Sequence, residues 1–323
     1  MRLTVSGFRN NGIWSEDWNT LRKLLITLLI SVITFIPNIS VAMRLPIYDE
    51  NKFEPVQERP KPVIAILDTA LDSSFELIKK NIIFEACVME WPNCPNGSTQ
   101  MEGFNSASLP TEKMSSNFYH GTHMASLAVM TNSSIQIVFV RIIAQNFIGN
   151  RMSTTEVTVN QAFDWVLRNG PALNVQAVVM AQGHHDLTYL KDYCPRSLIT
   201  ESKFIALKTL GIPVFLPAGN GGDLNRIDWP ACLPSAIAIG AATNENRIAT
   251  YSNFDSQRVE FFIKGNSNVI TNGGGFVNIS GTSVSAVKAA VIWATVKSQM
   301  PNLTYDQILI YLRQSGIAMS NIT

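Results

Sequence analysis

Pro62-Val63-Ile64-Ala65-Ile66-Leu67-Asp68-Thr69 is the stretch on which the fold reading turns. A short unbroken apolar run predicts a strand buried on both faces, as in a parallel sheet covered by helices. Asp68 ends that run, and in open parallel sheets ligands bind beyond the carboxyl ends of the strands. Residues 135–143, 175–181, 213–216 and 236–240 repeat the apolar pattern. Between them, helices are predicted over residues 154–167, where Val157, Phe163 and Val166 lie near 3.6 spacing, and over residues 202–210. Asn169-Gly170-Pro171 should stop the first of these. Residues 284–296 and 305–313 read as closing helices. This alternation predicts an α/β fold, a central mostly parallel sheet with helices on both faces, formed by residues 61–323 as one domain.

Composition sets the bounds around that reading. The chain has 323 residues, 25 Lys+Arg against 24 Asp+Glu, and 46% hydrophobic residues. The balanced charge argues against a nucleic-acid partner, which would select a basic excess. The apolar content excludes a disordered chain.

At the N-terminus, Arg22 and Lys23 precede thirteen uncharged, mostly apolar residues, 24–36, and Ser40-Val41-Ala42 supplies small residues for a cleavage site. That order predicts a signal peptide over residues 1–42 and a polar arm over residues 43–60, hence a secreted or periplasmic protein. The run falls short of the roughly 20 residues that cross a bilayer, and only a retained segment would tie the chain to a membrane. About eighteen residues separate Ala42 from the first strand. Export permits disulfides. Four Cys allow three pairings, of which proximity in sequence favours Cys87–Cys94 and Cys194–Cys232. With no C-x2-C pair, a metal site is the weaker reading of these residues.

Any imidazole base must come from His120, His123, His184 or His185, the four histidines of the chain. His120-Gly121-Thr122-His123 opens an apolar helix, so His120 can project into a cleft while the helix anchors it. Ser283, in Gly281-Thr282-Ser283, also opens a helix, whose free N–H groups favour developing negative charge. Asn220 follows Pro217-Ala218-Gly219 at a strand end. Taken singly, these have ordinary readings: Asp68 and Asn220 as turn residues, Ser283 as a helix cap. His120 and His123, three apart on a helix, have metal ligation as an alternative, but the Glu of H-E-x-x-H is missing. His184-His185 is read as surface or cleft rim. Ser285, two positions after Ser283, excludes the G-x-S-x-G elbow of an α/β-hydrolase. Residues alone reach acyl transfer or hydrolysis by an activated serine.

Together, Asp68-Thr69, His120-Gly121-Thr122-His123, Ala218-Gly219-Asn220 and Gly281-Thr282-Ser283 resemble the subtilisin-like serine peptidases, the subtilases. The Asp, His, Ser order is that of the family. The resemblance extends through Trp229-Pro230-Ala231, residues 236–240 and Ser252-Asn253-Phe254, covering residues 62–296. It implies the subtilisin-like three-layer fold and peptide-bond cleavage on an Asp68, His120, Ser283 triad, with Asn220 in the oxyanion hole. It also implies a substrate-binding strand at Ala181-Gln182-Gly183-His184, protein or peptide substrates, and a catalytic step that requires no cofactor. The chain is expected to be monomeric. Structural calcium is common in the family, but no ligand set can be assigned here. Three positions depart from the family pattern. Ala70 replaces a Gly and would object to a positive φ. Val287 replaces a Pro, removing a kink. His184 replaces a Gly and would narrow or polarise the specificity pocket. A peptide-binding pseudoenzyme and a serine esterase or amidase are the alternatives on the same site.

Overall fold

The computed structural model describes residues 60–109, 118–145, 152–183, 194, 197–271 and 274–315. The signal-peptide and arm expectations therefore lie outside the described residues, as do His184 and His185. Residues 58–323 form one compact unit.

Twelve strands are described: β1 (Val63–Asp68), β2 (Ile82–Val88), β3 (Gln100–Glu102), β4 (Gln136–Arg141), β5 (Ala144–Gln145), β6 (Met152–Ser153), β7 (Ala177–Met180), β8 (Val214–Pro217), β9 (Ile237–Ala242), β10 (Val259–Lys264), β11 (Asn266–Ile270) and β12 (Phe276–Ser280). Six helices accompany them: α1 (Glu76–Lys79), α2 (His120–Thr131), α3 (Glu156–Asn169), α4 (Leu198–Thr209), α5 (Thr282–Gln299) and α6 (Tyr305–Ser315). The main sheet runs β10-β9-β8-β7-β1-β4-β2-β3. Its ladders are parallel except β2–β3, at the edge. Two small antiparallel pairs, β11–β12 and β5–β6, stand apart from it.

The apolar run of β1 is explained by its two neighbours in depth. Val63, Ala65 and Leu67 join one buried cluster with Phe163, Trp165, Val166 of α3 and Phe204, Leu207 of α4. Ile64 and Ile66 point the other way and join Met124 and Leu127 of α2 with Val287 and Trp293 of α5. Each large aliphatic side chain so buried contributes roughly 1.5–3 kcal/mol. Val287, where the family has Pro, sits fully buried within the unbroken α5.

Most predicted elements appear within a few residues of their expected bounds. In α3, Val159, Ala162, Phe163 and Val166 form the buried stripe, whereas Val157 points outward and is 47% exposed. The first turn is set instead by Thr155, whose Oγ1 accepts from the Thr158 N–H. Helix α4 starts a turn earlier than predicted, capped by Ser197. Strand β2 went unread because Glu85 interrupts its apolar run. Burial raises the pKa of that carboxyl, against hydrogen bonds from Asn105, Ala107 and Ser73 that lower it. A carboxyl pushed toward its neutral form is tolerable in a core. Both expected disulfides are present, Cys87–Cys94 and Cys194–Cys232.

Candidate active site

The central strands β8, β7 and β1 are neighbours, and their carboxyl ends deliver three pieces of one site. From β1 comes Asp68, fully buried. From the end of β7 come Ala181, Gln182 and Gly183, and from the end of β8 come Gly219 and Asn220. Helices α2 and α5 then place His120 and Ser283 over the same edge. A cavity of about 350 Å³ is lined by His120, Gln182, Gly183, Asn220 and Ser283, with Asp228 also on its wall.

Asp68 is held tightly. Its Oδ1 accepts from the Thr69 N–H at 2.6 Å, and its carboxylate accepts from His120 Nδ1 at 2.8 and 3.0 Å. His120 can approach because Gly121 follows it. A Cβ on Gly121 would stand 2.6 Å from the Ala70 carbonyl oxygen and 2.7 Å from Phe139. Instead the Gly121 N–H donates to Thr69 Oγ1 at 2.7 Å, and Thr69 Oγ1 donates to the Phe118 carbonyl at 2.8 Å. Ala70 itself has no positive φ, so the missing family Gly strains nothing there.

Burial alone would lower the pKa of His120. The charge of Asp68, with its hydrogen bond, outweighs that and raises it. The same bond fixes Nδ1 as the protonated nitrogen and leaves Nε2 as the basic one. Its side chain keeps 29% of its surface open. His123 lines the cavity too, packed edge-on to Tyr119 with ring centroids 5.5 Å apart. Burial, then the charge of His120, lowers the His123 pKa, against the charge of Asp68, which raises it.

Asn220 is oriented by an N–H that can only donate. Its Oδ1 accepts from the Thr282 N–H at 2.8 Å and from Thr282 Oγ1 at 3.0 Å. The amide oxygen is therefore turned inward, and the side-chain NH2 is left for the cavity. Ser283 faces the same cavity from the first turn of α5, without a hydrogen bond to His120 among the described residues. The four residues expected to share a site thus line or border one cavity.

Sequence reasoning missed other participants. Gln182 was expected only as part of the substrate-binding strand. Its Nε2 instead donates to Asp68 Oδ1 at 2.9 Å and lies 3.0 Å from His120 Nδ1. Thr282 was read only as part of a motif, yet besides holding Asn220 its Oγ1 accepts from the Gly219 N–H at 3.2 Å. Asn253 holds the loop after Asn220, accepting from the N–H groups of Gly221 and Asp223 at 2.9 and 3.0 Å. Short polar residues flanking a recognised motif were the available signal. Among the described residues, no group of three or more His, Cys, Asp or Glu side chains is placed to hold a metal ion.

The family model described as the subtilase family matches residues 59–316. The chain belongs to that family. A thermostable alkaline protease of Halalkalibacterium halodurans is 26% identical over 202 residues, covering 61% of this chain and 52% of the relative. Subtilisin NAT of Bacillus subtilis subsp. natto is 26% identical over 211 residues, covering 62% and 51% respectively. This subtilase chain thus spans about half the length of the curated relatives it matches. Among solved structures, a protease of Pseudoalteromonas arctica superposes with a TM-score of 0.63 at 17% identity, covering 78% of this chain and 82% of that one. A cold-adapted subtilisin-like serine proteinase gives 0.56 at 21%, covering 78% and 81%. The subtilisin-like fold is shared with both.

Proposed function

We propose that this subtilase is a serine endopeptidase that hydrolyses peptide bonds through an acyl-enzyme on Asp68, His120 and Ser283. The observation that carries the reading is the Asp68–His120 hydrogen bond at 2.8 Å beside a cavity that Ser283 and Asn220 also line. Membership of a family whose similar relatives are named proteases and subtilisins supports it.

In this reading Ser283 Oγ attacks the scissile carbonyl while His120 Nε2 takes its proton. Asp68 holds the ring and stabilises the imidazolium. The carbonyl oxygen, now an anion, accepts from the Asn220 side-chain NH2 and the Ser283 N–H. The imidazolium then gives its proton to the departing amine, the C–N bond breaks, and Ser283 is left esterified. Water, deprotonated by the same imidazole, attacks the ester and releases the acid with Ser283 restored. Every proton in the cycle moves between side chains, substrate and water, so no cofactor enters it.

The N-terminal pattern supports export, and the two disulfides fit an oxidising compartment. Protein or peptide substrates and a monomeric state complete the proposal. Among the described residues no helix is long and apolar enough to cross a membrane.

Hydrolysis of casein and of short acyl esters by the purified protein, with Ser283→Ala beside it, tests the reading. Casein cleavage lost in Ser283→Ala is the expected result. Ester cleavage without casein cleavage would make it an esterase. Peptide binding without cleavage would make it a pseudoenzyme.

A further inference from the structure

The first turn of α5, which carries Ser283, is seated on a bend of the main chain that the proposed cycle does not use. The bend, Ile263-Lys264-Gly265-Asn266, joins β10 to β11. Hydrogen bonds reach all four of its successive carbonyl oxygens. The Ile263 carbonyl accepts from Ser285 Oγ at 2.8 Å. The Gly265 carbonyl accepts from the Gly281 N–H at 2.8 Å and from Tyr251 Oη at 3.1 Å. Those of Lys264 and Asn266 accept from one ammonium, Lys288 Nζ, at 2.9 and 2.8 Å. Gly265 lets these partners converge, because a Cβ there would stand 2.5 Å from Tyr251 Oη and 2.6 Å from Ala241 Cβ.

Lys288 closes a ring through this bend. Its side chain leaves α5 and grips the chain on both sides of Gly265, and the Gly265 carbonyl returns to the helix at Gly281. From Gly281 both oxyanion donors are set. The next N–H, that of Thr282, fixes the Asn220 amide at 2.8 Å, and the one after it belongs to Ser283. A shift of Gly281 therefore moves the nucleophile and both donors relative to His120, which stands on a different helix, α2.

The other role available to Lys288 is to stabilise the fold and nothing more. Burial, then the charge of Lys264, lowers its pKa. Lost hydration and a like charge are thus set against the two carbonyl bonds, which makes Lys288 a weak source of stability but a fixed point of geometry. Lys297 in the same helix makes the same kind of contact, donating to the carbonyls of Pro301 and Leu303 at 2.8 Å each. It grips the far end of α5, about 20 Å along the helix from Ser283. The two lysines form a matched pair that differ in what the gripped segment leads to.

We propose that Lys288 is a positioning residue for the nucleophile: by clamping the 264–266 bend it seats Gly281, and through Gly281 it places Ser283 and the oxyanion donors. The proposal rests on the serine-endopeptidase reading above.

Fluorophosphonate labelling tests it, because saturation kinetics separate binding of the probe, KI, from the bond-forming step, kinact. Both are measured on the parent, Lys288→Met and Lys297→Met, with thermal melts to show that each is folded. Met keeps most of the unbranched stem and removes the ammonium donors. In Lys288→Met, kinact should fall about tenfold with KI within about twofold of the parent, the scale of a sub-ångström misplacement. Lys297→Met should leave both constants at the parent values. Lys288→Arg, which retains donors and charge, should recover most of the lost rate. Equal kinact in Lys288→Met and Lys297→Met would overturn the proposal whatever the melting temperatures, and so would a loss confined to KI. A parent that does not label removes the peptidase reading and this proposal with it. A parent that labels, beside a Lys288→Met that labels equally fast, removes this proposal alone. Should Lys288→Met fail to fold, Tyr251→Phe reads the same bend by deleting one donor to Gly265. It should lower kinact by about threefold with KI unchanged, and an unchanged kinact would overturn the proposal.

Discussion

Replacing Gln182 by Leu tests how the Asp68–His120 pair is tuned. Three donors converge on Asp68 Oδ1: the Thr69 N–H at 2.6 Å, His120 Nδ1 at 2.8 Å and Gln182 Nε2 at 2.9 Å. Only the last can be removed without touching the backbone or the base. Leu keeps most of the volume and deletes the donor. Two consequences have the same sign. The carboxylate, stripped of one partner, attracts the imidazolium more strongly. The positive end of the amide dipole, 3.0 Å from Nδ1, no longer opposes a charge on the ring. Both raise the His120 pKa further.

A hydrogen bond to a charged group contributes about 1.5–3 kcal/mol. Because the bond from Gln182 is made in both protonation states of His120, only its difference between those states moves the pKa. A third to a half of the lower figure is about 0.5–0.75 kcal/mol, or roughly half a pH unit. The acid limb of kcat/KM against pH should therefore move up by about half a unit. Looser positioning of the ring should lower kcat by about tenfold with KM little changed. The assay is a pH–rate series on a peptide amide, with a thermal melt to show that the variant is folded. An acid limb and kcat both unmoved in folded Gln182→Leu would refute the assignment.

Four other outcomes are expected. For His120, whose folded pKa is raised, activity should appear only as pH rises through a midpoint above 6.5, because the neutral ring is the base. Asp68→Asn should bring that midpoint below 6.5, since burial then acts unopposed, and should cut kcat by about 10⁴-fold. A pH–rate comparison of the two proteins checks both statements. Gly121→Ala pushes a methyl into Ala70 and Phe139. It should cost about 1–3 kcal/mol in urea unfolding and lower activity by displacing His120. The Cys194–Cys232 bridge spans 38 positions and Cys87–Cys94 spans 7. By loop entropy, removing the first should cost about 4 kcal/mol and the second about 2.5, and a reversed order in denaturant titrations would contradict this. Glu85, a carboxyl with raised pKa, favours folding less as pH rises from about 4.5 through its folded value. Glu85→Gln should therefore gain stability relative to the parent over that window, read as a rising difference in melting temperature.

What was legible in the sequence was local. The β1 run followed by Asp68, the Gly after His120 and the Ser283 helix start each carry their signal within a few residues. Packing imposes the Gly after His120, where a Cβ would meet the Ala70 carbonyl and the Phe139 ring. Strand β2 was not legible, because the core accepts Glu85 only through burial and partners contributed by distant loops. The outward turn of Val157 was hidden for a similar reason: spacing marks a helix but tertiary contact chooses its face. Gln182 escaped for a further reason. Its contact with Asp68 and His120 arises only when the ends of β1 and β7 are brought side by side, which no short motif encodes. The one departure that cast doubt on the backbone, Ala70, proves ordinary once its φ is known.

The central claim is that Ser283 is a nucleophile activated by His120 and Asp68. Mass spectrometry of the intact protein after treatment with a fluorophosphonate tests it most directly. One adduct per chain is predicted, mapping to the peptide that carries Ser283, absent from Ser283→Ala and formed far more slowly in Asp68→Asn. Folded protein that gains no adduct, or gains one elsewhere, would contradict it.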